Sequence, residues 1–332
     1  MASLKRILTI DGGGVRGIIP AMVLAEIERR TKKPISELFD FIAGTSTGGI
    51  LALALCKPKE LPTDSPVGAW ELVPAYSAED LVSFYARECP KIFGSTAKAY
   101  LGDLYGPKYS EKPLEESLEK FFGGTLLSEA ITDVLVSSYC IERRRPVFFK
   151  SSKAKTNPIR NVPMKVAARA TSAAPTFFSP HRLDLNAVSV PYFSLVDGGI
   201  FANNPTLCAL TEIWKAAPNS DIFVVSLGTG NTTLPYHHND AVSYGAISWA
   251  PKVIDCTFDG TSQAIDHQMS MLMQRAEPRN RNYYRLQIDL PPDMGEMDDA
   301  TERSIQKLKL KGEELIRKSR EQIKEICTQL MP

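Results

Sequence analysis

Histidine is scarce in this chain of 332 residues, with four, and so is any surplus of one charge, since 39 Lys and Arg stand against 38 Asp and Glu for a formal net charge of +1. A balance this even gives no global attraction to a polyanion, so a nucleic-acid polymer is not an expected partner. No long apolar run occurs; stretches such as residues 50–56 fall far short of the ~20 residues that cross a bilayer. The six cysteines, at 56, 89, 140, 208, 256 and 327, form no C-x-x-C pair. They read as free or buried thiols of a reducing compartment, with no metal site implied. No acidic loop with calcium-ligand spacing is present, and no organic cofactor is called for. The charged start Met1-Ala2-Ser3-Leu4-Lys5-Arg6 leads straight into a strand pattern, so no signal peptide is expected and a cytoplasmic location is. At 43% apolar and 23% charged, the chain can bury a large α/β core.

Two segments in the first 50 residues read as strand, glycine-rich turn, helix. In the second, the short apolar Phe39-Asp40-Phe41-Ile42-Ala43 leads through Gly44-Thr45-Ser46-Thr47-Gly48 into the apolar helix former Gly49-Ile50-Leu51-Ala52-Leu53-Ala54-Leu55. That is the setting of a nucleophile elbow, with Ser46 on the turn and glycines two positions to either side. A helix N-terminus behind the serine adds positive potential where an oxyanion would develop. In the first segment, Arg6-Ile7-Leu8-Thr9-Ile10 is a strand pattern, Asp11-Gly12-Gly13-Gly14-Val15-Arg16-Gly17 a turn, and residues 18–30 have helical periodicity. The amides of Gly12, Gly13 and Gly14, unshielded by side chains, suit an oxyanion hole and equally a phosphate cradle. Gly12, Gly14 and Gly17 also satisfy G-x-G-x-x-G, so a Rossmann-type dinucleotide-binding oxidoreductase stays open as an alternative. It requires an acidic residue closing a second strand about 20 residues on. Glu37 has nearly that spacing, but Pro34-Ile35-Ser36-Glu37-Leu38 does not look like a strand end.

A serine hydrolase needs a base, and no histidine stands in a persuasive setting: His237-His238 reads as a solvated loop, and His181, after Ser179-Pro180, as structural. Asp197 is the better candidate. It closes the apolar strand Tyr192-Phe193-Ser194-Leu195-Val196, is followed by Gly198-Gly199, and precedes a helix start at Asn203-Asn204-Pro205. In a parallel sheet the carboxyl ends of strands share one edge, which would bring Ser46 and Asp197 together.

Asp11-Gly12-Gly13-Gly14-Val15-Arg16-Gly17, Gly44-Thr45-Ser46-Thr47-Gly48-Gly49 and Asp197-Gly198-Gly199, in that order, resemble the patatin-like phospholipase family. The alanine-rich, proline-ended segment at residues 167–178 is similar as well, so the resemblance runs from about residue 5 to 230. It implies a three-layer α/β/α fold with a mainly parallel central sheet. It also implies a lipid acyl hydrolase that uses a Ser46–Asp197 dyad, with Gly12, Gly13 and Gly14 as the oxyanion hole and Arg16 steadying the loop or meeting a lipid phosphate. An aspartate with a solution pKa of about 3.9 is a poor base for a hydroxyl, so such a site must exclude water and stabilise the oxyanion strongly.

On this reading residues 1–240 form the catalytic domain and residues 241–332 a mainly helical part packed on it. The expected substrates are phospholipids or galactolipids met by peripheral contact at the membrane surface. Residues 57–112 are the candidate lid or docking insertion: a proline-rich loop, then Ile92, Phe93, Tyr100, Leu101, Leu104, Tyr105 and Tyr109 among Lys91, Lys98 and Lys108. Arg143-Arg144-Arg145 reads as a hairpin turn, and residues 300–331 as one amphipathic surface helix that closes the domain or pairs with a second copy in a homodimer. A further alternative is a bacterial anti-phage phospholipase switched on by a cyclic dinucleotide, with Arg143 to Arg145 or the cluster Arg275, Arg279, Arg281 and Arg285 as the regions to meet a nucleotide.

Overall fold

The computed structural model describes residues 4–59, 73–94, 106–185, 191–273 and 282–331. In chain order come β1 (Leu4–Ile10), α1 (Ile18–Thr31), β2 (Phe41–Thr45), α2 (Thr47–Cys56), α3 (Ala78–Phe93), α4 (Lys112–Phe122), β3 (Asp133–Cys140), β4 (Arg145–Lys150) and α5 (Met164–Thr171). There follow β5 (His181–Asp184), β6 (Tyr192–Asp197), α6 (Thr206–Ala216), β7 (Asp221–Leu227), β8 (Asn231–Thr232), α7 (Ala246–Met273), β9 (Tyr283–Leu286), β10 (Asp289–Leu290), α8 (Glu302–Lys318) and α9 (Arg320–Leu330). Among the described residues no helix is long and apolar enough to cross a membrane.

The main sheet has the hydrogen-bonded order β5-β6-β3-β2-β1-β7-β9, with β4 also paired to β3. β1, β2, β3, β7 and β9 are mutually parallel, whereas β4, β5 and β6 run antiparallel to their neighbours. Period-two alternation sends side chains to opposite faces. Leu8, Ile42, Val136 and Val225 join the larger core under α1 to α5, α8 and α9. Ile7, Ala43, Leu135 and Val224 meet Leu210 of α6 and Met269 of α7 on the other face. The result is the three-layer α/β/α sandwich with a mainly parallel sheet.

Register fixes the point that matters for function. β2 lies along one edge of β3, ending at Thr45 opposite Ser137. β4 covers the other edge from Leu135 to Cys140. β6 pairs with Ser138 to Cys140, so it must take the edge that β2 vacates, and it arrives from the opposite direction to end at Asp197 opposite Ser138. Two strands therefore meet end to end on one rail, and the turns after Thr45 and at Asp197 fall side by side. The expectation that parallel strand ends bring Ser46 and Asp197 together is corrected here: the strand carrying Asp197 is antiparallel, and it succeeds because it stops short.

Other expectations fare variously. β3 and β4 form the antiparallel hairpin, with exposed Arg143 to Arg145 at its turn and Arg144 at φ 50°. The single tail helix is two, α8 and α9, interrupted at Ser319, whose backbone leaves the helical region at φ −94°, ψ 16°. Buried Ile305, Leu308, Leu315, Ile323 and Ile326 close the core against α1 and its neighbours.

Candidate active site

Ser46 sits on the turn between β2 and α2 at φ 54°, ψ −125°. An L-residue there is strained by about 1–3 kcal/mol and persists only where its surroundings over-determine it. Its N–H donates to Thr171 Oγ1 at 2.8 Å, and the Thr171 hydroxyl donates in turn to Ser137 O at 2.6 Å, which ties the elbow to β3. The flanking glycines are needed for close approach: a Cβ on Gly44 would lie 2.0 Å from Gly48 O, and one on Gly48 would lie 2.2 Å from Ile10 O. Either clash would lift α2 off the end of the sheet.

Asp197 is wholly buried. Its N–H donates to Ala173 O at 3.0 Å, and its Oδ1 accepts from the Gly199 amide at 2.7 Å. Its Oδ2 is buried with no hydrogen-bond partner among the described residues. Burial pushes the carboxyl up to about 7, against the pull of the Ser46 hydroxyl and the Gly199 amide toward the charged form. The Ser46 hydroxyl is thus near enough to favour the carboxylate without completing a bond to Oδ2. Thr171 and Ala173, two positions apart, hold the amides of both residues. This gives the alanine-rich segment a physical task that its composition did not reveal.

The glycine turn after β1 faces the elbow, with Ser46 Cβ 3.2 Å from where a Gly12 Cβ would stand. Of the three amides, that of Gly12 is already engaged, donating to Asn203 O at 3.1 Å. Those of Gly13 and Gly14 donate to no acceptor among the described residues. Gly14 has φ 58°, and a Cβ on it would lie 2.0 Å from Met297 O, so no other residue fits. Arg16 is buried and turned into the protein: it donates to Thr232 Oγ1 at 3.0 Å and Gly295 O at 3.2 Å, with a weaker contact to Gly13 O at 3.4 Å. Burial lowers its pKa, while Asp259 and Asp255 draw it back up. Of the two tasks considered for it, these contacts are those of loop support.

Behind the turn lies a group that sequence reasoning missed. Arg285 of β9 grips Asp11 with both terminal nitrogens, NH1 to Oδ1 at 2.9 Å and NH2 to Oδ2 at 2.5 Å, and Ser262 of α7 donates to Asp11 Oδ2 at 3.1 Å. Burial still raises the Asp11 carboxyl, with Arg285 as the main opposing influence. The available signal was a lone arginine inside the apolar strand Tyr283-Tyr284-Arg285-Leu286. Arg275, Arg279 and Arg281, grouped with it as a region to meet a nucleotide, lie outside the described residues. Glu37 sits in a one-turn helix, Ile35–Leu38, and not at a strand end, so the dinucleotide fingerprint lacks its acidic partner.

From Ser46 an almost wholly apolar pocket runs between α3 and α4, walled by Phe84, Tyr85, Cys89, Ile92, Phe93, Leu114 and Leu118, with Phe177, Phe178, Phe258 and Met297 closing other sides. Ile92, Phe93 and Tyr109 of the candidate docking insertion therefore face inward, Tyr109 packing with Phe93, Phe177 and Phe178. The insertion's Lys98, Tyr100, Leu101, Leu104 and Tyr105 lie outside the described residues. Among the described residues no histidine lines the pocket. His181 is held down to about 4 by burial and by Arg169, whereas His237 and His238 are exposed.

The sequence profile described as Patatin-like phospholipase matches residues 8–210. The chain is similar to Patatin-like protein 2 of Arabidopsis thaliana, 34% identical over 352 residues that cover 95% of this chain and 84% of that one. It is also similar to Patatin-like protein 2 of Oryza sativa subsp. indica, 33% identical over 94% of this chain and 84% of that one. Patatin-T5 of Solanum tuberosum is 33% identical over 96% of this chain and 85% of its own length.

Proposed function

The chain belongs to the patatin-like phospholipase family, and on that premise we propose that it is a lipid acyl hydrolase that cleaves ester-linked fatty acids from membrane phospholipids or galactolipids, with Ser46 as nucleophile and Asp197 as its only base. Substrate chains of that kind are insoluble, so the reaction belongs at a membrane surface met peripherally. The observation that carries the reading is the buried, unpartnered Oδ2 of Asp197, raised to about 7, next to a strained serine at the end of an apolar pocket.

Ser46 Oγ attacks the ester carbonyl carbon while Asp197 Oδ2 takes the hydroxyl proton. A base whose pKa lies near the working pH combines a populated carboxylate with useful proton affinity, which an aspartate at about 3.9 lacks. The developing oxyanion is met by the N–H groups of Gly13 and Gly14 and by the N-terminal end of α2. Asp197 then returns the proton to the leaving alcohol, giving an acyl-Ser46 ester whose chain occupies the apolar pocket. Water attacks that ester with Asp197 again as base, releasing fatty acid and regenerating the serine. Arg16 and the Asp11–Arg285 pair hold the glycine turn without touching the reacting atoms.

The test is fatty-acid release from mixed phospholipid vesicles by the wild-type chain and by Ser46→Ala, with a chelator present and no added nucleotide. Release that vanishes in Ser46→Ala is the expected result; equal release from both chains, or loss of activity on chelation, would sink the proposal.

A further inference from the structure

Resting on the lipid-hydrolase reading, we propose that residues 234–253, and not the insertion at 57–112, form the element that docks the protein on a bilayer. Among the described residues fourteen large apolar side chains are exposed, and five of them fall in these 20 residues: Leu234 at 50%, Val242 at 70%, Ile247 at 75%, Trp249 at 37% and Val253 at 51%. The same stretch is nearly free of charge, with Asp240 and Lys252 its only acidic or basic residues beside two histidines, in a chain that is 23% charged. The first six residues of α7, 246–251, are exposed on every side. A helix start that carries isoleucine and tryptophan yet stays exposed along its whole first turn and a half leaves apolar surface with a use outside the fold.

The chemistry favours lipid over a second copy of the chain. Tryptophan, tyrosine and lysine are side chains of the headgroup boundary, where one end is apolar and the other wet. Here they form one cluster: Trp249 packs edge-on to Tyr244 at 5.6 Å, and Lys252 Nζ lies 4.8 Å from the Tyr244 ring and 5.7 Å from the Tyr236 ring. Continuity with the reaction site is the second argument. Phe258, on the same helix, lines the pocket that opens at Ser46. Ile247 and Phe258 stand eleven positions apart, about 16 Å along a helix axis, so an arm seated at the acyl boundary of one leaflet leaves the pocket within reach of a lipid drawn from it. The insertion, by contrast, spends Ile92 and Phe93 on the pocket walls and packs Tyr109 behind them against Phe93.

The experiment uses the full chain bearing Ser46→Ala, so that vesicles are not consumed, sedimented with phosphatidylcholine vesicles. Binding is expected, with a blue shift of tryptophan emission that Trp249→Phe removes. Binding should change little between low and high salt, because the surface is apolar. Adding Ile247→Glu and Val253→Glu should weaken partitioning by about tenfold or more. In an otherwise wild-type chain the same two substitutions should leave hydrolysis of a soluble short-chain ester unchanged and lower vesicle hydrolysis in step with binding. Unaltered partitioning in the double variant overturns the proposal, as does conversion of a dimer to a monomer by it, which would assign the arm to self-association. Failure of the parent reading looks different: wild-type chain inactive on the soluble ester, whatever the vesicles do.

Discussion

Arg285→Met tests whether the Asp11–Arg285 pair holds the glycine turn. The substitution keeps the unbranched apolar stem of the side chain and removes both donors to Asp11, leaving a buried carboxylate with only the Ser262 hydroxyl. Breaking a buried ion pair from one side costs about 3–5 kcal/mol, because the remaining charge is neither solvated nor paired. The sign of the pH dependence follows. The Asp11 carboxyl is raised in the folded protein even with Arg285 present, and losing the strongest opposing influence raises it further. An acid that binds its proton more tightly folded than unfolded loses stability as pH rises from its unfolded value of about 4 through its folded value. Urea unfolding should therefore show the full deficit near pH 8 and a smaller one near pH 5. The double variant Asp11→Asn, Arg285→Met should recover most of the loss, since neither half then leaves a charge behind. A deficit under about 1 kcal/mol at pH 8, or one of equal size at both pH values, would refute the reasoning.

Asp197 titrating at about 7 predicts a kcat/KM that rises through a single ionisation near pH 7 and is level above it. Asp197→Asn should remove that limb and lower the rate by about 10²–10⁴-fold, as read from initial rates across pH. Thr171→Val takes the acceptor from the Ser46 N–H with little change of shape. It should cost about 1–3 kcal/mol in denaturant unfolding and lower kcat more than it raises KM. Ser46→Gly should abolish hydrolysis yet raise stability by about 1–3 kcal/mol, because glycine carries no strain at φ 54°; an unchanged or lowered unfolding midpoint would count against strain at the elbow.

The parts of the site made by local geometry could be read from sequence, and the parts made by long-range pairing could not. Gly44 announces the elbow because the clash it avoids is with Gly48 and Gly49 in the same turn, whereas the need for glycine at 48 comes from Ile10 and Asp11 at the end of β1 and is visible only through the motif spacing. The direction of β6 has no local mark: it depends on β5 pairing with it and on β4 already covering one edge of β3. Arg285 reaches Asp11 across 274 positions, and an arginine in a strand carries no label for its partner. The break at Ser319 escaped because apolar residues 305, 308, 315, 323, 326 and 330 keep helical spacing across it. Ile92 and Phe93, read with their basic neighbours as facing a headgroup layer, line the pocket, since residue type alone does not tell a pocket wall from an outer surface.

A serine–aspartate pair without histidine puts its difficulty in one number, the proton affinity of the carboxyl. Moving an aspartate from 3.8 to about 7 corresponds to about 4 kcal/mol of lost interaction with its surroundings. By linkage the fold carries that cost at pH 7 and above and is relieved of it below pH 4. The strained backbone of Ser46 adds its own about 1–3 kcal/mol at the same place. Both costs fall where β2 and β6 meet end to end on β3, and both residues hang from the same short segment, Ser46 on Thr171 and Asp197 on Ala173. A mobile segment would let the serine relax out of the left-handed region and let water reach Oδ2, returning the carboxyl toward its solution value and its weakness as a base. On the proposed mechanism, the rigidity of residues 171–173 is therefore what allows one aspartate to do the work of a base, and loosening it should lower the pKa of Asp197 and the rate together.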